Sequence, residues 1–267
     1  MAGLCAGAQA TGQLGPLTCA DVGITSTPGS NTQDGLFRME GNDIAYGYTL
    51  GLLWEPTDNT RIGMNYRSEI RHSLGGDATI TVPDSAATFA AAAGVTPGKF
   101  QGFLKLITPE ALSLSVHQQI TDGWSVQGDA TYTRWSRFKS MNITSSESAM
   151  VDAIDKPQNW KDNVRLALGS NFELSQAWTL RTGIAYDPTP IKDEDASLDF
   201  AFDDYIALSV GASWTPMADL TVDAGLQHTL KQERDINQGG LADEGAVMQG
   251  SVTNNVTSIA AGINYSF

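Results

Sequence analysis

The sequence predicts an all-β chain, an antiparallel up-and-down transmembrane β-barrel, and three observations carry that prediction. Apolar residues alternate with small or polar ones through nine separate segments. The connections between those segments alternate strictly between short and long. Four of the six tryptophans, Trp54, Trp124, Trp178 and Trp214, stand beside the short connections on the apolar face.

A strand points successive side chains to opposite faces, so a period of two gives each segment one greasy and one polar side. The first segment sets Ile44, Tyr46, Tyr48, Leu50, Leu52 and Trp54 against Gly47, Thr49 and Gly51. The second, 61–71, sets Ile62, Met64, Tyr66 and Ile70 against Arg61, Asn65, Arg67, Glu69 and Arg71. The third opposes Leu112, Leu114 and Val116 to Ser113, Ser115 and His117; the fourth opposes Trp124, Val126, Ala130 and Tyr132 to Gln127, Asp129 and Thr131. Val164, Leu166, Leu168 and Phe172 face away from Arg165, Asn171 and Glu173 in the fifth. Trp178, Leu180, Ile184 and Tyr186 face away from Arg181 and Asp187 in the sixth. The seventh and eighth carry Ile206, Leu208, Val210 and Trp214, then Leu220, Val222, Leu226 and Leu230, on their apolar faces. The ninth runs Ile259, Ala261, Ile263, Tyr265 to the terminal Phe267.

Alternation alone suits a soluble sandwich as well as a barrel. The connections separate the two. Those at 55–60, 120–123, 174–177 and 215–219 are short, and those at 73–110, 139–162, 188–204 and 231–254 are long. All tight turns therefore lie at one end, the layout of outer-membrane barrels with short periplasmic turns and long external loops. An indole ring favours the bilayer–water boundary, which explains a tryptophan rim at that end; a sandwich has no use for one. Charges on the polar face then point into a wet lumen, where they are inexpensive. Arg67, Arg165 and Arg181 are expected to form a lumenal charge network there with Glu69, Glu173 and Asp223. Phe267 ends the last strand at the periplasmic rim and resembles the terminal aromatic by which the barrel assembly machinery recognises such proteins.

The totals narrow the function. Thirty acids against 16 Lys and Arg give a net charge of −14, which argues against a nucleic-acid partner. No apolar run approaches the about 20 residues of a spanning helix. Cys5 and Cys19 lack the spacing of a zinc site; they are candidates for a local disulfide, with two free thiols as the alternative. The first twenty residues show no basic stretch followed by an apolar one. His72, His117 and His228 are scattered without a nucleophile motif, so an outer-membrane lipase finds no support. The acid-rich stretch 193–204 lacks EF-hand spacing and reads as a solvated external loop, and no cofactor or metal is expected.

At 59–77 (NTRIGMNYRSEIRHSLGGD) and 161–191 (KDNVRLALGSNFELSQAWTLRTGIAYDPTPI) the chain resembles the FadL-type long-chain fatty acid transporters of Gram-negative outer membranes. The Tyr66-Arg67-Ser68-Glu69 run, Trp178 with Arg181-Thr182-Gly183, and Asp187 before a proline carry the likeness, which extends from about Asp43 to Phe267. The resemblance implies a fourteen-stranded barrel closed by an N-terminal hatch, of which about nine strands are present here. Residues 1–42 resemble the external loop that leads into the family's sixth strand, and 43–267 hold the strands. An odd, partial set of strands leaves edges that a membrane does not tolerate, so the expectation is a single barrel domain that is the C-terminal part of a longer transporter. A shorter, hatchless barrel is the alternative.

The implied function is passive uptake of long-chain fatty acids or other hydrophobic compounds across the outer membrane, in contact with its lipids. The alternative is a barrel that does not transport such compounds: a structural protein or adhesin, or a general porin. A fatty acid needs apolar surface and a partner for its carboxylate. Phe89, Val95, Phe100, Phe103, Leu104, Leu106 and Ile107 form an apolar insertion on the wet side and are expected to line a capture groove, with Ala90 to Ala93 as a short helix. The resemblance places Lys156 where the family has a head-group lysine, with Lys161 nearby.

Overall fold

The structure is a computed structural model that describes residues 2–10, 12, 14–27, 34–152, 155–197, 200–230, 232–238 and 248–266. Strands β1 (Leu36–Asn42), β2 (Thr49–Thr57), β3 (Thr60–Arg67), β4 (Ile70–Thr81), β5 (Gly98–Thr108), β6 (Ala111–Thr121), β7 (Trp124–Thr133) and β8 (Ser140–Thr144) cover the first half. Then follow β9 (Asp155–Pro157), β10 (Asn163–Ser175), β11 (Trp178–Asp187), β12 (Tyr205–Met217), β13 (Leu220–Thr229), β14 (Gln232–Gln238), β15 (Met248–Asn254) and β16 (Thr257–Tyr265). Three short α-helices, α1 (Ala2–Ala10), α2 (Ala87–Ala92) and α3 (Ala149–Asp152), and single 3-10 turns at Asp84–Ala86, Trp135–Arg137 and Asp193–Asp195 complete the described elements.

The nine alternating segments become one antiparallel sheet, in the order β16-β13-β12-β11-β10-β7-β6-β3-β2. The sheet is open, with β2 and β16 as its edges. Its short connections are two-residue turns after Thr57, Thr121, Ser175 and Met217, and each sits beside a register shift in the ladder. An extra residue at a tight turn raises local twist, which a curved wall requires.

The apolar faces point outward and stay uncovered. Leu166, Leu208 and Leu226 are 51%, 45% and 42% exposed, so they line no dry core between two sheets. Trp178 stacks on Trp214 with ring centroids 6.0 Å apart, and Trp124 on Phe172 at 5.7 Å, at the short-turn end. Among the described residues no helix is long and apolar enough to cross a membrane. The strands supply the membrane-facing surface.

Three segments depart from the sequence reading. Segment 61–71 is not one strand, because the ladder is interrupted at Ser68. Its hydroxyl accepts the Tyr48 N–H at 2.9 Å, where a backbone carbonyl would continue the pairing. The chain then turns out of the wall, and Ile70 opens β4 opposite Thr108 in a second sheet. Residues 43–48 precede β2 rather than belong to it. Residues 1–42, expected as a loop, hold α1 and β1.

The long connections fold into a cap at the end of the wall away from the short turns. Its main sheet runs β1-β4-β5-β8-β9, and β14 pairs with β15 separately. Three small cores hold it. One gathers Cys5, Val22, Ile24, Ala86 and Phe89; a second joins Ala78, Ile80 and Val151; the third centres on Trp160, Ile191, Ala196 and Ile236. Cys5 and Cys19 are joined by a disulfide with Cα atoms 5.7 Å apart, and the bond ties α1 onto the first of these cores. Closing a loop of 14 residues stabilises by about 3 kcal/mol through the unfolded chain. Mass spectrometry after alkylation without reductant should find neither thiol free. Reduction should make the N-terminal segment protease-sensitive while the wall stays folded.

Candidate functional site

The inward face of the wall is polar and stepped with glycine. Arg181 donates to Ser213 Oγ, Ser213 donates to Asp223, and Arg181 Nη1 lies 3.5 Å from Asp223 Oδ1. Asn264 adds a 3.1 Å hydrogen bond to the other Asp223 oxygen. Asn171 donates to Ser125 Oγ and Gln127 Oε1 at 3.2 and 3.3 Å, while Ser113 meets Thr131 at 3.0 Å. Gly169 and Gly183 are register partners, and a larger residue at either place would have to displace a neighbouring side chain. A Cβ at Gly169 would fall 2.8 Å from Gln127 Nε2, and one at Gly183 would fall 2.7 Å from Ser209 Oγ. The result is a cleft of about 320 Å³ between Arg165, Arg181, Asp129, Gln127 and Gln227. A second hollow of about 330 Å³, nearer the short turns, is lined by Asp58, Arg61, His117, Asn171 and Glu173.

The expected charge network is distributed differently along the wall. Arg181 and Asp223 meet. Arg165 turns to Asp187 at 3.8 Å. Glu69 binds Arg71 at 2.7 Å and Arg137 at 3.3 Å, and Glu110 binds Arg134 at 2.8 Å. Arg67 has no ion-pair partner among the described residues. Arg134, Arg137 and Glu110 escaped the sequence reading because they lie just beyond strand ends, where the period of two stops giving a direction. The Arg134 hydrogen bond holds the Glu110 carboxyl below the usual carboxylate range, against a smaller upward push from burial.

The apolar groove residues are divided by the strand that carries them. Phe89 is 4% exposed, packed in the disulfide core, so it shapes the cap from within. On β5, Phe100, Leu104 and Leu106 share one face and Phe103 and Ile107 the other, because successive side chains alternate. Phe100 packs against the Ala78, Ile80 and Val151 core. Phe103 is 46% exposed and lies over Gly75, whose absent Cβ would come within 3.1 Å of the ring. Ala87–Ala92 is helical, one turn offset from the stretch Ala90 to Ala93. Lys156 sits on β9 opposite Met141; its side chain, like Phe267, lies outside the described residues. The Lys161 amide donates to Pro190 O at 2.8 Å.

Two further clusters resolve without ligand chemistry. In the acid-rich loop the Arg234 guanidinium stands where a cation would: it donates to Asp193 at 3.1 Å and lies 3.7 Å from Asp203. His72 is on β4, where it lies 3.2 Å from both Asp43 and Thr108. No group of acids, histidines or cysteines among the described residues could hold a metal ion.

Residues 3–267 match the model of the outer membrane protein transport protein family (OMPP1/FadL/TodX). The chain belongs to this family. It is 28% identical to the long-chain fatty acid transport protein of Salmonella typhi over 85% of this chain and 53% of that protein. Among solved structures it superposes on a Pseudomonas aeruginosa FadL homologue with a TM-score of 0.79 at 23% identity, covering 91% of this chain and 57% of the other. On the Pseudomonas putida toluene transporter TodX the TM-score is 0.58 at 18% identity, covering 84% and 50%. The chain thus spans about half the length of the curated relatives it matches. The wall is therefore part of a FadL-type outer-membrane β-barrel, and its exposed apolar band faces the lipid of a Gram-negative outer membrane.

Proposed function

We propose that this chain supplies part of the wall and external cap of a passive transporter that admits long-chain fatty acids or other hydrophobic compounds. The observation that carries the reading is the sidedness of the molecule. Lipid-facing side chains are apolar, the lumen is polar and glycine-stepped, and exposed apolar side chains recur in the cap on the watery side, Phe103 among them. A compound of low solubility is captured by area, and the cap offers area where water would otherwise disfavour it. The fatty acid and toluene carriers named among the relatives support the substrate class. Lys156 is the head-group partner in this reading.

The test is uptake of oleate and of a neutral aromatic by cells producing the full protein that contains this chain. Phe103 is the clean position, since Phe100 also holds a cap core. Burying an aromatic ring is worth about 1.5–3 kcal/mol, so Phe103→Asp should weaken capture of both compounds by about ten- to a hundredfold. Lys156→Ala should lower oleate uptake and spare the neutral compound, because it removes only a charge-assisted contact. Equal loss of both compounds would remove the head-group role. Unchanged uptake in the Phe103 variant would remove the groove.

A further inference from the structure

Three of the four external hairpins of the wall repeat one side-chain arrangement. Tyr66 is the register partner of Leu112, Tyr132 of Val164 and Tyr186 of Ile206. In each pair the residue two places before the partner is an acid, Glu110, Asp162 or Asp204, lying just outside its strand. The tyrosine hydroxyl donates to that acid at 3.5, 2.6 and 2.6 Å respectively. The acid's second oxygen takes a donor from a loop root: Arg134 Nη1 to Glu110, the Ser136 amide to Asp162 and the Thr189 amide to Asp204, all at 2.8 Å. The fourth hairpin is an internal contrast. His228 faces Thr257 there, and the place of the acid is taken by Asn255.

The position of these tyrosines gives the arrangement a meaning. Tyr132 and Tyr186 sit on the outward face eight residues beyond Trp124 and Trp178. That is ~26 Å along the strand, or roughly 20 Å across the membrane at the usual tilt, close to the height of a barrel's apolar band. The tyrosines therefore mark the external edge of the lipid-facing surface. A tyrosine at such an edge ordinarily offers its hydroxyl to headgroups and water. Here each hydroxyl is turned to a carboxylate of the same chain.

We propose that the three tyrosine–carboxylate clasps fasten the cap to the wall: each ring sits at the outer edge of the lipid-facing surface while its hydroxyl pins the root of an external loop there. The clasps position the cap; they take no part in ligand chemistry. Protonation states agree. Burial pushes the carboxyls of Asp162 and Asp204 up, but the tyrosine hydroxyl and the loop amide together outweigh it and leave both below the usual carboxylate range. The acids are thus ionised at neutral pH, when a charge-assisted acceptor binds most strongly.

The test uses the full protein in intact cells and reads two quantities: external protease cleavage within 135–162 and 188–204, and the temperature at which the barrel unfolds on a gel. Tyr132→Phe and Tyr186→Phe keep the ring and remove only the hydroxyl. Each should raise cleavage of its own loop about tenfold with the unfolding temperature unchanged. Tyr66→Phe should do less, since its contact is the longest and Arg134 also holds Glu110. Tyr132→Phe combined with Asp162→Ala should cleave no faster than Asp162→Ala alone, because one contact cannot be lost twice. Cleavage at the unaltered rate in the Phe variants, effects that multiply in the double variant, or cleavage that rises only as the whole barrel unfolds would each overturn the assignment.

Discussion

Arginine in place of Leu226 or Val210 should sharply lower the amount of folded protein in the outer membrane. Both side chains point outward and are register partners, and Val210 lies four residues above Trp214, near the middle of the apolar band. A guanidinium there costs about 2–4 kcal/mol at the bilayer midplane, since no water or partner meets it. That is a factor of roughly thirty to a thousand in the folding equilibrium, a large share of the about 5–15 kcal/mol by which many proteins are stable. The control is one residue away. Gln227 is on the lumenal face, and Gln227→Arg should assemble normally because its head enters water. Gel-resolved folded barrel in outer-membrane fractions measures both. Equal behaviour of Leu226→Arg and Gln227→Arg would mean that the two faces do not see different solvents.

The second large effect is expected in the cap. Arg234 is 5% exposed, and its guanidinium donates to the carbonyls of Phe202 at 2.7 Å and Ile191 at 3.1 Å besides its two acids. The pair with Asp193 contributes little, because that carboxylate is in full solvent. The Ile191 carbonyl matters more, since Arg234→Ala takes away its donor beside the Trp160, Ile191 and Ile236 core, whereas Phe202 O keeps the Thr189 hydroxyl and Asp203 keeps the Asp204 amide. Leaving a buried acceptor without its donor costs about 1–3 kcal/mol. The variant should shift tryptophan emission to the red and open 188–204 to protease, with the wall intact. Arg234→Lys should recover only part, because one ammonium cannot span two carbonyls and two acids. A cap that resists protease as before would show that the loops hold without this residue.

The wall was legible because each strand separates two solvents. Lipid on one side of Leu166 and Leu168 and water on the other side of Arg165 write a period of two directly into the residues. The tryptophan rim and the two loop lengths follow from the same boundary, so they could be read without coordinates. The cap hid its strands for the converse reason. Both faces of β5 carry apolar residues, Phe100 and Leu104 on one and Phe103 and Ile107 on the other, so no alternation marks it. The family likeness could be read from short words such as 66–69, yet it could not say which groove residue is buried.

By itself, then, the sequence determined the wall: nine strands, their order, their outward face and the end at which the turns lie, all consequences of local alternation. Only the tertiary structure decided the partners. Arg165 meets Asp187 and not Glu173, and Phe89 joins the disulfide core and not a surface groove. Tyr132 reaches an acid thirty residues away. Each of those choices depends on the register between strands and on how the cap folds back over the wall. A local pattern says which face a side chain takes, while the residue that meets it there is set by chain brought in from elsewhere.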